Sequence, residues 1–156
     1  KLVYACDIDE KAVETHKLNF STEKLECADI CDVQSNDIPN HDILTGGFPC
    51  QSFSTVNPTK NPFDERGKLY IQMARIVKDK QPKVFIAENV KGLMTLRKGE
   101  IFRNVVSAFE SSGYKLFPSL INAADYGVPQ DRKRVFYIGF RKDLNIDFKF
   151  TFLIAQ

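Results

Sequence analysis

A cysteine follows a glycine pair in a stretch whose residue types suit covalent chemistry. The stretch reads Gly46-Gly47-Phe48-Pro49-Cys50. Glycines let the backbone bend sharply and approach a ligand closely, and Pro49 fixes the direction of the chain just before the thiol. A structural cysteine would more often lie within a strand than in a polar loop. We therefore predict that Cys50 is a nucleophile, which splits one difficult reaction step into two easier ones.

A carboxyl and a short cationic run are the other candidates for chemistry. Glu88 follows four apolar residues and precedes Asn89. A carboxyl in that position can act as an acid or a hydrogen-bond donor, although a solvated carboxylate at a strand tip fits the local sequence equally well. Residues 130–134 contain Arg132 and Arg134, which would share one side of an emerging strand. The alternative for this run is a solvated surface loop.

The other three cysteines, Cys6, Cys27 and Cys31, are predicted to be reduced, buried thiols. The sequence has no CxxC pair, and neither His16 nor His41 has metal-ligand spacing to the cysteines. No metal site is therefore expected.

The elements that must position these residues alternate short apolar runs with longer helical segments, which is typical of βαβ units and a mostly parallel sheet. Strands are predicted over 2–6, 25–28, 41–45 and 84–87. Helices are predicted over about 10–19, from 67 onward and over 100–111. The last two strands, 114–122 and 134–140, have no helix between them and are predicted to form an antiparallel pair that closes the sheet.

Local signals refine these elements. Asp9 is a plausible N-cap for the first helix, whose residues Ala12, Val13, His16 and Phe20 are predicted to lie near one face. Gly113 stands where a C-terminal cap belongs. Residues 48–66 show no convincing period, and long loops within compact domains are usually functional.

Polar residues follow the predicted strands at their carboxyl ends. These residues are Asp7, Asp29, Cys50 and Glu88. Open α/β sheets bind ligands in the crevice outside the carboxyl ends of their strands. The sequence therefore predicts a ligand site at this edge.

Composition limits the protein class without naming a function. The 156 residues are 43% hydrophobic and 27% charged, with a net charge of +2, which excludes a disordered chain, a collagen-like chain and a disulfide-rich scaffold. No apolar run approaches the length of a membrane span, and the charge balance does not by itself argue for nucleic acid. The length suggests one domain, but the chain opens directly in an apolar stretch, which predicts a piece of a larger one.

Three segments, in this order, resemble the cytosine-5 methyltransferases that act on DNA. The stretch GGFPCQSFS at 46–54 resembles the catalytic-cysteine motif of that family, residues 87–90 its ENV motif, and residues 130–134 its QxRxR motif. Supporting matches at Asp7, at 29–30 and at 67–70 extend the resemblance over almost the whole chain.

The resemblance implies transfer of a methyl group from S-adenosylmethionine to C5 of a cytosine flipped out of double-stranded DNA. Cys50 would attack C6 and Glu88 would hold N3. Arg134, and with it Arg132, would hold the O2 edge and the carboxylate. Asn89 would brace the turn formed by Pro49 and Cys50.

The resemblance also implies a set of cofactor contacts. Asp7 would bind the ribose, and Ile8 would pack on the adenine, where many members have a bulkier side chain. Asp29 and Ile30 would meet the adenine ring. Phe48 and Leu69 complete the predicted set, with Leu69 at the start of the helix that closes over the cofactor.

Two parts of the family pattern have no counterpart in the sequence: the N-terminal Gly-rich cofactor motif and the target-recognition region. We therefore expect a Rossmann-like methyltransferase fold, with a mostly parallel sheet and an antiparallel last strand, incomplete at both ends. Residues 1–142 would be a partial catalytic domain, entered at about its second strand, and 143–156 a tail of unclear role. These segments would be missing because the chain is truncated, or a complementary chain would supply them.

The resemblance places the protein in the bacterial or phage-infected cytoplasm, at the nucleoid, with no membrane or metal partner. Two alternatives stay open. One is a tRNA cytosine-5 methyltransferase with the same chemistry, and the other is a non-catalytic fragment or subunit that keeps the fold.

Overall fold

A computed structural model describes residues 1–48 and 69–149. The chain divides into two compact units, Lys1–His41 and Asp42–Gln156. Pro49, Cys50 and the rest of the predicted functional loop lie outside the described residues, as does the end of the predicted tail.

The first unit is a βαβ arrangement. Strand β1 (Leu2–Asp7) and strand β2 (Thr22–Cys27) pair in parallel, with Asp7 beside Cys27 at the carboxyl end. Helix α1 (Glu10–Asn19) connects them. All three predicted elements are confirmed, with β2 starting three residues earlier than expected.

Helix α1 begins as its sequence predicts. The Asp9 carboxylate accepts hydrogen bonds from the backbone N–H groups of Lys11 at 2.8 Å and Ala12 at 3.4 Å, which satisfies two of the donors that a helix start leaves free. The predicted apolar face is only partly right. Val13 is buried, but Ala12 and Phe20 are exposed. Phe20 leaves the face because the helix ends at Asn19 and its own backbone is extended.

The second unit contains a four-stranded sheet. Its strands are β3 (Ile43–Gly47), β4 (Val84–Val90), β5 (Tyr114–Asn122) and β6 (Lys133–Arg141). Their order is β3-β4-β6-β5, and β6 runs antiparallel to both of its neighbours. The mostly parallel sheet with an antiparallel last strand is confirmed. The last strand in sequence lies inside this sheet, and a short 3-10 turn, Ala123–Tyr126, precedes it.

Two helices supply the core on one face of this sheet. Helix α2 (Leu69–Lys80) buries Met73 and Val77, and helix α3 (Glu100–Ser111) buries Ile101, Val105 and Phe109 at four-residue spacing. This spacing keeps one stripe of a helix directed at its neighbours.

Strand β4 alternates between the two faces of the sheet. Phe85, Ala87 and Asn89 are buried, whereas Glu88 is half-buried. The strand is predicted to end at Glu88 and Asn89, and in the structure it is slightly longer. It continues to Val90 because β6 pairs with it residue by residue, from Val84 to Val90.

The side chain of Phe85 restricts which residue can occupy the facing position in β6. It is fully buried, its ring centroid lies 4.4 Å from that of Phe109, and its partner across the ladder is Gly139. A Cβ atom on Gly139 would overlap the Phe85 ring. Glycine in a strand interior often marks such a close approach.

Among the described residues, no helix combines the length and the hydropathy that crossing a bilayer requires.

We predict that Gly139→Ala lowers the free energy of unfolding by about 3 kcal/mol, at the upper end of typical overpacking costs. The added methyl group would force the buried Phe85 ring or the β6 backbone to move. Urea denaturation measures the change. The matched control is Gly92→Ala, where an added Cβ meets no atom within 4 Å and the expected change is within about 0.5 kcal/mol. Equal effects of the two substitutions would contradict this account of Gly139.

Candidate active site

An ion pair between β4 and β6 forms the charged part of the candidate site. Glu88 faces Phe136 across the ladder, and Arg134 faces Val90, so the two charged residues are diagonal neighbours on one face. Arg134 Nε lies 2.9 Å from Glu88 Oε1. The side chains are 35% exposed for Glu88 and 23% for Arg134, so the pair is fixed by the sheet but still reachable.

Asn89 performs a different task one residue further along β4. Its side chain points into the core and is 2% exposed. Its Nδ2 donates to the carbonyl oxygen of Phe48 at 2.7 Å, and its Oδ1 accepts from the Val90 N–H at 2.8 Å. The amide therefore holds the chain at the residue that immediately precedes Pro49 and Cys50.

The two glycines at the end of β3 leave room for neighbours on both faces. Gly47 pairs with Glu88, and a Cβ on Gly47 would lie 3.5 Å from Glu88 Oε2. A Cβ on Gly46 would lie 3.3 Å from Met73 Sδ, which is tighter than an ordinary contact. The sequence predicts a close approach of a ligand at these glycines, which stays a prediction, and it did not indicate the contact with Met73.

Phe48 and Leu69, both predicted to contact the cofactor, belong to the core of the second unit. Phe48 is buried, and Leu69 packs against the same cluster as the first residue of α2. The Phe48 ring lies 6.1 Å from that of Tyr70 between centroids, and burial raises the pKa of the Tyr70 hydroxyl. Reasoning from the sequence missed this contact between Phe48 and Tyr70.

Strand alternation does not place Arg132 beside the ion pair of Glu88 and Arg134. Strand β6 begins at Lys133, so Arg132 precedes the strand and the alternation argument does not extend to it. Its backbone is held by a bond from its N–H to Gln130 O and by one from Ala123 N–H to its own carbonyl. Its guanidinium forms no ion pair with another described residue.

Two carboxylates share the carboxyl edge of the small sheet in the first unit. Asp7 ends β1, Asp29 follows β2, and the Ala28 N–H donates to Asp7 O at 3.0 Å between them. Each carboxylate accepts one backbone N–H two residues on, at Asp9 for the first and at Cys31 for the second. The structure thus brings these two predicted cofactor residues to one edge.

The apolar neighbours of these two aspartates differ in exposure. Ile8 is 69% exposed, whereas Ile30 is half-buried.

The prediction of buried thiols is wrong for two of the three cysteines. Cys27 and Cys31 are exposed, because Cys27 ends β2 and Cys31 lies in the turn that follows. Cys6 is half-buried, and burial raises the pKa of its thiol, which disfavours a reactive thiolate there. No group of three His, Cys, Asp or Glu residues in the described parts of the chain could hold a metal ion.

Comparison with known proteins identifies the family. The model of the C-5 cytosine-specific DNA methylase family matches residues 1–155. The chain belongs to that family. The resemblance read from the Cys50, Glu88 and Arg134 segments is therefore confirmed at the level of the family, while the role of each residue stays a prediction.

Bacterial methylases are similar to this chain over nearly its whole length. Type II methyltransferase M.FnuDI of Fusobacterium nucleatum is 45% identical over 100% of this chain and 45% of its own length. Type II methyltransferase M.HhaI of Haemophilus parahaemolyticus is 43% identical over 92% of this chain and 43% of its own. The chain spans less than half the length of both relatives.

Solved structures confirm the Rossmann-like methyltransferase fold. A structure described as a DNA modification methyltransferase encoded within an E. coli prophage matches with a TM-score of 0.80 and 32% identity, over 96% of this chain and 42% of that chain. The structure of a Spodoptera frugiperda DNMT2 mutant matches with a TM-score of 0.73 over 96% of this chain and 45% of that chain. At 22% identity, the latter shows the fold alone.

We predict that Asn89→Ala lowers the free energy of unfolding of this chain by about 1–3 kcal/mol, because the buried Phe48 carbonyl loses its partner. Urea denaturation measures the effect. Asn19→Ala is the matched control. Asn19 donates to Thr15 O at 2.7 Å from an exposed position, where water can replace the bond, so a change within about 0.5 kcal/mol is expected. A loss at Asn89 no larger than at Asn19 would disprove the bracing role.

Proposed function

We propose that this chain carries the catalytic part of an enzyme that transfers a methyl group from S-adenosylmethionine to C5 of cytosine in DNA. The observation that carries the proposal is the position of Glu88. This half-buried carboxylate is held by Arg134 and lies beside the end of β3 that leads into Cys50.

The proposed reaction needs both a nucleophile and a group at N3, because C5 of cytosine does not react unaided. A bond forms between the Cys50 sulfur and C6, and the electrons of the C5–C6 double bond become available at C5. C5 then takes the methyl group, whose bond to the sulfonium sulfur breaks and leaves its electron pair on that sulfur. Loss of the C5 proton then restores the double bond and breaks the bond between sulfur and C6.

Glu88 and Arg134 suit the polar edge of the base. Negative charge develops at N3 when the thiolate adds, and Glu88 is proposed to hold a proton or a hydrogen bond there. Arg134 is proposed to keep the carboxylate in place and to donate to O2, since its planar guanidinium can serve both partners. Arg132 is proposed to assist at the same edge.

The residues predicted to contact the cofactor are chemically suited to S-adenosylmethionine. The cofactor supplies the methyl group as an electrophilic sulfonium. In the first unit, Asp7 has a carboxylate suited to a ribose diol, and exposed Ile8 offers an apolar surface for the adenine. Asp29 and Ile30 are proposed to complete the adenine contacts.

In the second unit, Phe48 and Leu69 are proposed to line the cofactor site where the core meets the start of α2.

A DNA substrate requires that the target base leave the stack. C6 is inaccessible within a duplex, so the cytosine must be flipped into the pocket. We propose that the segments without a counterpart in this chain, supplied by the same polypeptide or by a complementary chain, grip the DNA and read its sequence. Because bacterial DNA is packed in the nucleoid, we propose the nucleoid as the site of action.

Trapping on a duplex that contains 5-fluorocytosine tests the chemistry. The fluorine at C5 cannot leave as a proton does, so the bond between Cys50 and C6 persists and denaturing electrophoresis shows an adduct. We expect the adduct with the purified protein and cofactor, and not with Cys50→Ser.

Cys27→Ser removes an exposed thiol and should leave trapping unchanged. Absence of the adduct in the unaltered protein would favour a non-catalytic fragment. Methyl transfer to tRNA in preference to duplex DNA would favour the tRNA alternative.

A second prediction addresses the carboxylate. Glu88→Gln should slow adduct formation about 10²- to 10⁴-fold, the usual contribution of a positioned acid or base. Single-turnover kinetics with the same duplex measures the rate. Glu100→Gln, at the exposed start of α3, should leave the rate unchanged. A rate in Glu88→Gln equal to that of the unaltered protein would remove Glu88 from the mechanism.

A further inference from the structure

The connection between β4 and α3 concentrates positive charge. Residues 91–99 contain Lys91, Arg97 and Lys98 and no acidic residue. Nine residues thus carry three positive charges in a chain whose net charge is +2. All three cationic residues are exposed.

The connection lies at the same edge of the sheet as the Glu88–Arg134 ion pair. It begins immediately after Val90, which faces Arg134 across the ladder. Its first turn, Lys91–Met94, packs against β6 and fully buries Leu93 in the core. This end of the connection is therefore anchored beside the site.

The backbone that presents two of these charges is strained. Arg97, Lys98 and Gly99 are consecutive left-handed residues, with φ angles of 47°, 54° and 79°. Glycine adopts this conformation freely, but a side chain with a Cβ atom does so at a cost in free energy. Glycine or asparagine would satisfy the turn at lower cost than two long cations, and such strain is characteristic of functional segments.

Nothing in the described part of the protein uses these charges. Lys91, Arg97 and Lys98 form no ion pair with another described residue. The Lys98 carbonyl does accept a bond from Arg103 Nη1 at 3.2 Å, which helps to fix the turn. The ammonium and guanidinium groups stay available to an external anion.

We propose that Lys91, Arg97 and Lys98 bind phosphates of the DNA strand that flanks the target cytosine. The inference rests on the proposed function. A base held at Glu88 brings the phosphates of its own strand to the same edge of the sheet, since base and phosphate are covalently joined. Arginine and lysine are the side chains best suited to phosphate oxygens.

The test measures DNA affinity against salt concentration. Each phosphate contact releases counterions, so log K falls as log salt rises. Removing one contact reduces the magnitude of this negative slope by about 0.9. We expect a decrease of about 2 for the double variant Arg97→Asn with Lys98→Asn and about 0.9 for Lys91→Gln. Asparagine tolerates the left-handed backbone, so the melting temperature of the double variant should stay the same or rise.

Lys78→Gln is the matched control. Lys78 is exposed in the last turn of α2, which leads toward the amino end of β4. Its removal should leave the slope unchanged. The proposed phosphate contacts are disproved if the double variant keeps the slope of the unaltered protein. They are also disproved if Lys78→Gln reduces the magnitude of the slope as much as the double variant does.

The same experiment separates this proposal from the proposed function. If the unaltered protein forms the 5-fluorocytosine adduct while all variants share its salt slope, only the phosphate contacts fail. If the unaltered protein neither binds duplex DNA nor forms the adduct, both proposals fail together.

Discussion

A buried hydrogen bond from the Asn89 amide to the Phe48 carbonyl, 2.7 Å long, ties the end of β3 to the middle of the sheet. Neither group can turn to water, so breaking this bond would leave both unsatisfied. The bond fixes the backbone from which the chain continues to Cys50. Because Asn89 points into the core, its neighbour Glu88 must face the other way, where Arg134 meets it.

The local sequence was sufficient to predict the bounds of an element where residues at its own ends delimit it. Helix α1 has the predicted span because Asp9 caps it and an extended residue ends it. Strand β5 matches its predicted bounds because the turn at Gly113 precedes it and Asn122 caps the 3-10 turn that follows it. Family motifs added what periodicity could not, since nothing in the alternation of β4 alone distinguishes Glu88 from a solvated carboxylate.

Features that depend on distant partners were beyond local reasoning. The full length of β4 is set by its pairing with β6, whose residues lie more than forty positions later in the sequence. The contacts of Tyr70 with Phe48 and of Met73 with Gly46 arise only when α2 packs against β3. The left-handed backbone at Arg97 and Lys98 carries no sequence signal, because neither residue type favours it.

The alternation of β4 also limits how this segment can evolve. Glu88 and Asn89 serve opposite faces of one strand, so their order matters as much as their identity. An inserted or deleted residue within the strand would reverse every side chain beyond it, and the carboxylate would enter the core while the amide faced the site. Evolution must therefore preserve these two residues as an ordered pair.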